Sequence, residues 1–107
     1  MDRVFVAGAS GMIGHHVTQE LLKRGARVRT VVHRRPIEEI EAIRGDLRDI
    51  DTCRKAVRGC RTVVHAAGVT GGLKSLTLDP FATFSDNVLL NTNLLDAARL
   101  EGVERYA

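Results

Sequence analysis

Three glycines at three-residue intervals, Gly8, Gly11 and Gly14, stand where an apolar run ends and a helical period begins. The run before them, Arg3 to Ala7 (RVFVA), is short, β-branched and aromatic, as buried strands are. After them Ile13, Val17 and Leu21 recur four apart with Leu22 alongside, which predicts one apolar face on a helix over residues 12–24. Gly25 then supplies a left-handed stop. A strand that turns through glycines straight into a helix is the opening of a strand–helix–strand unit. That restricts the fold to a sheet with helices packed on it.

The rest of the chain repeats the alternation. Arg27 to His33 reads as a second strand, broken by Pro36, with Ile37 to Glu41 as loop or a single turn. Ala42 to Gly45 is a short third strand. Asp51 is placed to cap a helix that runs through Arg58 and closes at Gly59. Arg61 to Ala67 forms a fourth strand, followed by a Gly/Ser/Thr-rich loop from Gly68 to Leu78. Asp79-Pro80 starts a long helix to Leu100, with Phe81, Phe84, Val88, Leu95 and Ala98 as its expected packing face. Val103 to Ala107 begins a fifth strand. Strands alternating with helices predict an α/β, doubly wound parallel sheet with helices on both faces.

The glycine loop carries the chemistry. Gly8 permits a tight exit from the strand, Gly11 lets backbone amides approach a pyrophosphate, and Gly14 lets the helix pack closely. Free amides and the dipole at the helix N-terminus favour an anion there. At the end of the second strand an acid would hold a ribose 2′-hydroxyl, but His33, Arg34 and Arg35 occupy that position. Arginines suit a 2′-phosphate, so NADP is expected, with NAD as the alternative. Asp46 and Leu47 follow the third strand and suit an adenine ring, although Asp46 serves equally well as a cap for the next turn. His65-Ala66-Ala67-Gly68 closes the fourth strand with small residues that leave room for a ligand, and His65 reads as a packed strand histidine.

Other candidates recede. His15 and His16 are adjacent, diverge on a helix and make no metal pair. Cys53 and Cys60, with Ala56 and Val57, fall at the spacing of a small core stripe, without the CxxC spacing of a redox or zinc site. Asn87, Asn91 and Asn93 are three mediocre helix formers in one helix, to be either hydrogen-bonded near the cofactor loops or on the surface.

With 107 residues, 44% hydrophobic and 27% charged, the chain has the size and balance of one globular domain. No apolar run approaches the roughly 18–20 residues of a membrane span, and Met1-Asp2-Arg3 opens without a signal-peptide pattern. Two cysteines make no disulfide framework, so a reducing cytoplasm is expected. The net charge is +3, and residues 1–61 hold 13 of the 16 cations. Nucleic acid is not the expected partner, because no aromatic sits among the arginines as a stacking platform.

The segments VAGASGMIG (6–14), GDLRD (45–49), VVHAAG (63–68) and DNVLLNTNLLDAA (86–98) together resemble the N-terminal part of extended short-chain dehydrogenase/reductases, the nucleotide-sugar epimerase/dehydratase group. The resemblance implies a Rossmann-like sheet of order 3-2-1-4 with a truncated fifth strand. It further implies NAD(P) binding by Gly8, Ala9, Ser10, Gly11, Met12, Ile13 and Gly14 in the loop, and by His33, Arg34 and Arg35 at the second strand. Asp46 and Leu47, Ala66, Ala67, Gly68 and Val69, and Asn87 complete the implied set. The family's catalytic Ser/Thr and its Tyr-x-x-x-Lys pair have no counterparts, and Tyr106 has no Lys four residues on. The expectation is therefore a cofactor-binding portion without turnover, whose parent acts on a sugar-nucleotide-like substrate. A non-catalytic dinucleotide sensor or assembly module is the alternative. An open outer edge on the fourth strand is expected to invite pairing with a second copy.

Overall fold

The computed structural model describes residues 2–32, 40–67 and 79–107. Among them are five strands, β1 (Arg3–Ala7), β2 (Arg27–Val32), β3 (Glu41–Arg44), β4 (Thr62–His65) and β5 (Arg105–Tyr106). They form one sheet in the order β3-β2-β1-β4-β5, and every neighbouring pair is parallel. The helices are α1 (Met12–Lys23), α2 (Ile50–Val57) and α3 (Pro80–Leu100). This is a Rossmann-like α/β architecture.

Side-chain alternation along β1 divides the core into two layers. Phe5 and Ala7 join Val63, Cys53, Ala56, Val57, Leu90, Leu94 and Ala97 on the face covered by α2 and α3. Val4 and Val6 point the other way, to Val28, Ala9 and the α1 residues Leu21 and Leu22. The cysteine stripe is thus core: Cys53 is fully buried and donates to the Leu47 carbonyl at 3.1 Å. Both cysteines are free thiols.

Several expectations need correction. The face expected for α3 holds only at Ala98, which is buried: Phe81 and Phe84 are 83% and 71% exposed and Val88 and Leu95 about half exposed, whereas Leu90 and Leu94 are buried. Apolar residues ring this helix, so periodicity does not single out a face; Thr83, Leu90, Leu94 and Ala97 line up on the sheet side. Ile13 likewise leaves the α1 face and is 69% exposed, because Gly14 and Thr18 are the residues buried there. The cap of α2 is Asp49 rather than Asp51; its carboxylate accepts from the Asp51 amide and the Thr52 hydroxyl. Finally, the outer edge of β4 is not open. Thr62 and Val63 pair with Arg105 and Tyr106, and Ala107 continues the ladder to Val63 and His65. The cap at Asp79 forms as expected, its side chain accepting from the Ala82 amide.

The uneven charge along the sequence resolves into pairs between its halves. Arg54 and Arg58 both hold Glu101, Arg61 holds Glu104, and Arg48 reaches Asp86. Arg58 and then Arg54 keep the Glu101 carboxyl below its usual range. Most of these pairs are exposed and contribute little each. Arg29 differs. It is a buried arginine in β2 whose Nη1 donates to the carbonyls of Ala56 and Arg58 at 2.9 and 2.7 Å, binding the end of α2 to the sheet. Its Nε lies 3.2 Å from Glu41, which also pairs with Arg3.

Two measurements check this core. Arg29→Leu strands those carbonyls and is expected to destabilise by about 2–4 kcal/mol in urea unfolding; an unchanged midpoint contradicts the anchoring role. Burial, with smaller effects of Asp49 and Asp46, pushes the Cys53 thiol up from 9.0 to about 11. Below pH 9 the thiol is protonated in both states, and between about pH 9 and 11 only the unfolded chain ionises. Stability should therefore fall over that window, by at most roughly 1.4 kcal/mol per pH unit from this group. A flat profile from pH 8 to 10.5 contradicts the assignment.

Candidate functional site

The strands of a parallel sheet end on one edge, and ligands bind outside that edge where neighbouring connections diverge. Here β1 and β4 are adjacent while their following connections lead to opposite faces. Ala7 stands level with His65, so the glycine loop after β1 faces Ala66 and Ala67 after β4.

Gly8 takes a φ of +80°, and a Cβ on it would lie 2.6 Å from the Ala66 carbonyl oxygen. Glycine here meets both needs, a left-handed backbone and a close approach to the neighbouring strand. Gly14 is tighter still: a Cβ would sit 1.9 Å from the Gly8 carbonyl oxygen. The close contact expected of Gly14 is thus made with the loop's own backbone. Gly11 is different. Its φ of −76° is open to any residue, and the nearest atom to an added Cβ is the Gly8 oxygen at 3.4 Å. Among the described residues, no packing demands a glycine at that position.

The turn is closed by the Gly11 amide donating to Gly8 at 3.0 Å. Helix α1 then begins at Met12 with no side-chain cap and no acid in its first turn. The amides of Met12, Ile13 and Gly14 therefore have no intrahelical acceptor, and they concentrate positive potential where the loop ends. A cavity of about 430 Å³ opens beside them, within the range of small-molecule sites.

Of the residues expected at the cofactor, Gly8, Ser10 and Gly11 form one side of this cavity, and Asp46, Leu47, Ala66 and Ala67 contribute to the rest. Ala9 is buried beneath the loop, and Met12 and Ile13 are exposed at the helix start. Asn87 sits on α3 with its amide donating to the Thr83 carbonyl at 2.9 Å; Leu90, nearly one turn on, reaches the cavity wall. His33, Arg34, Arg35, Gly68 and Val69 lie outside the described residues, as do the Gly68–Leu78 loop and Pro36.

Three wall residues escaped sequence reasoning: Val31, Arg48 and Leu90. Val31 could have been found from its place near the end of β2, level with the glycine loop's strand. Arg48 stood within the GDLRD segment without an assigned role. Leu90 required knowing which face of α3 turns inward.

Asp46 makes the local cap: its Oδ1 accepts from the Arg48 amide at 2.8 Å, and the residue also stands on the cavity wall. His65 is half-buried, as a packed strand histidine should be, with Nε2 against the Asn91 side-chain oxygen and Nδ1 accepting from the Ala67 amide at 3.4 Å. That pairing places the proton on Nε2 and joins the end of β4 to α3. Asn93 donates to the Arg48 carbonyl at 2.8 Å, so Asn91 and Asn93 both tie α3 to the sheet edge. Partial burial, with a smaller effect of Cys53, raises the Tyr106 pKa above its ordinary value.

Residues 4–107 match the model of the NAD dependent epimerase/dehydratase family. The 3 beta-hydroxysteroid dehydrogenase/Delta 5-->4-isomerase of Mycobacterium tuberculosis is 32% identical, across 99% of this chain and 30% of its own length. GDP-mannose 3,5-epimerase 1 of Oryza sativa is 27% identical, across 97% of this chain and 29% of its own. Among solved structures, the Thermus thermophilus UDP-glucose 4-epimerase in complex with NAD superposes with a TM-score of 0.81 at 34% identity, covering 97% of this chain and 36% of that one. The chain spans about a third of the length of such relatives. It belongs to the NAD dependent epimerase/dehydratase family.

Proposed function

We propose that residues 1–107 bind a nicotinamide adenine dinucleotide across the carboxyl edge of the sheet and form the cofactor-holding part of an epimerase/dehydratase-type oxidoreductase. Gly11 is the observation that carries this reading. Among the described residues nothing lies closer than 3.4 Å to a Cβ added there, and what approaches the loop from the cavity accounts for its glycine. The amides of Met12, Ile13 and Gly14, which have no acceptor among the described residues, suit the pyrophosphate, and the small Ala66 and Ala67 leave room for the chain of the ligand. Leu47, buried at the wall, offers an apolar surface to the adenine, and Asp46 offers an acceptor to its 6-amino group.

Bound, the nicotinamide supplies reversible hydride transfer. In the whole protein that chemistry would act on a sugar nucleotide or a related hydroxy or keto compound. The similar structures of a UDP-glucose 4-epimerase with NAD and of MoeE5 with UDP-glucose and NAD support the direction. The free buried thiols suit a reducing cytoplasm. No helix among the described residues is long and apolar enough to cross a membrane.

Between the two dinucleotides we favour NADP, on the strength of Arg34 and Arg35 after β2 and the lack of an acid before Glu38. Calorimetry should show NADPH binding about tenfold or more tightly than NADH, and Arg34→Ala with Arg35→Ala should level the two. Equal affinities in the unaltered protein overturn the NADP preference and leave NAD.

The glycines provide a sharper contrast. Gly11→Val should weaken dinucleotide binding by about 100-fold or more while the melting temperature stays within a few degrees. Gly14→Val should lower the melting temperature itself, because its Cβ meets backbone at 1.9 Å. Retained affinity in a folded Gly11→Val protein contradicts the proposed site.

A further inference from the structure

We infer that Arg48 is a positioning residue for base recognition: its guanidinium fork fixes the Asp46 carboxylate at the cavity wall and couples it to α3. The inference rests on the dinucleotide reading above and concerns how its adenine end is discriminated.

The geometry is unusually complete for a surface pair. Arg48 Nε lies 3.1 and 3.0 Å from the two Asp46 carboxylate oxygens, and Nη2 donates to Oδ2 at 2.6 Å. The Arg48 main-chain amide adds a fourth contact, to Oδ1 at 2.8 Å. Side chain and backbone of one residue therefore grip the carboxylate together. From the other side, Nη1 reaches Asp86 at 3.3 Å, and the Arg48 carbonyl accepts from Asn93 at 2.8 Å. Asp86 and Asn93 are two turns apart on α3, so Arg48 is held at both its ends by one helix face.

Alone, an aspartate side chain at a half-open cavity mouth would rotate among rotamers and hydrate. A forked guanidinium removes that freedom, which an ammonium cannot do with the same geometry. The two carboxylates, Asp46 foremost, raise the Arg48 pKa above its ordinary value, so the clamp is charged at every physiological pH. Among the described residues on the cavity wall, Arg48 is the one whose contacts run outward to α3 through an ion pair.

The probes are NAD and its hypoxanthine analogue, in which a 6-oxo acceptor replaces the 6-amino donor, each titrated into the protein by calorimetry. The unaltered protein should favour NAD by about tenfold or more, since an acceptor facing the carboxylate leaves both unpaired. Arg48→Gln should bring that ratio to within about threefold at an unchanged melting temperature, with Arg48→Lys intermediate because it keeps charge but loses the fork. Asp46→Asn separates the two levels of the argument. If it keeps the original ratio, Asp46 does not read the base, and the adenine placement fails first. If Asp46→Asn levels the ratio while Arg48→Gln and Arg48→Lys leave it intact, the positioning role is overturned and Arg48 is an ordinary surface ion pair. Should Arg48→Gln lose its fold, Asp86→Asn tests the same coupling from α3: a ratio lowered at least about twofold supports it, and an unchanged ratio overturns it.

Discussion

The carboxyl edge of the sheet depends on how closely one turn of backbone can approach another. Gly14 lies so near the Gly8 carbonyl, and Gly8 so near Ala66, that no Cβ fits at either position. That approach sets the angle at which α1 leaves β1, and it brings the free amides at the start of α1 beside the small residues after β4. A looser turn would move the helix dipole away from the cavity. The glycines are thus of two kinds. Gly8 and Gly14 are required by the fold, whereas nothing among the described residues requires Gly11, which is why the proposed ligand is placed against it.

Charge does for the outer shell what close approach does for the loop. The excess cations of the first half and the acids of the second meet across the α2–α3 surface, at Glu101, Glu104 and Asp86. Such exposed pairs give register more than energy. Arg29 is the exception, because it is buried and satisfies carbonyls at the end of α2 that no helix can satisfy for itself. Helix α3 therefore reaches the site through apolar contact at Leu90 and through polar contacts from Asp86, Asn91 and Asn93.

Much of this was legible in the sequence, for identifiable reasons. Strands of RVFVA and TVVH type are short and β-branched, and the glycine spacing between β1 and α1 has few structural meanings. The cysteine stripe worked because Cys53, Ala56 and Val57 share the buried face of α2, and Cys60, just beyond its end, joins the same core. The face of α3 did not, because Phe81, Phe84, Val88 and Leu95 form as convincing a stripe as the buried one; what chooses between them is the shape of the sheet. Asp49 and Asp51 are equivalent caps by composition, and only the end of the preceding turn decides between them. The fifth strand's two residues sufficed to cover β4 because Ala107 extends their hydrogen bonding. In the site, residues that touch the cavity through backbone or small side chains were found from motif spacing. Arg48 and Leu90 were missed because their roles come from contacts with distant elements.

The central claim is that the glycine turn, the Asp46-Leu47 corner and the Ala66-Ala67 end form one dinucleotide surface. Amide chemical shifts followed during titration with ADP-ribose test it most directly. The account predicts saturable changes that share one affinity at Met12, Ile13 and Gly14, at Asp46 and Leu47, and at Ala66 and Ala67, with β5 unaffected. Changes confined to the basic surface, or none at the helix start, would contradict it.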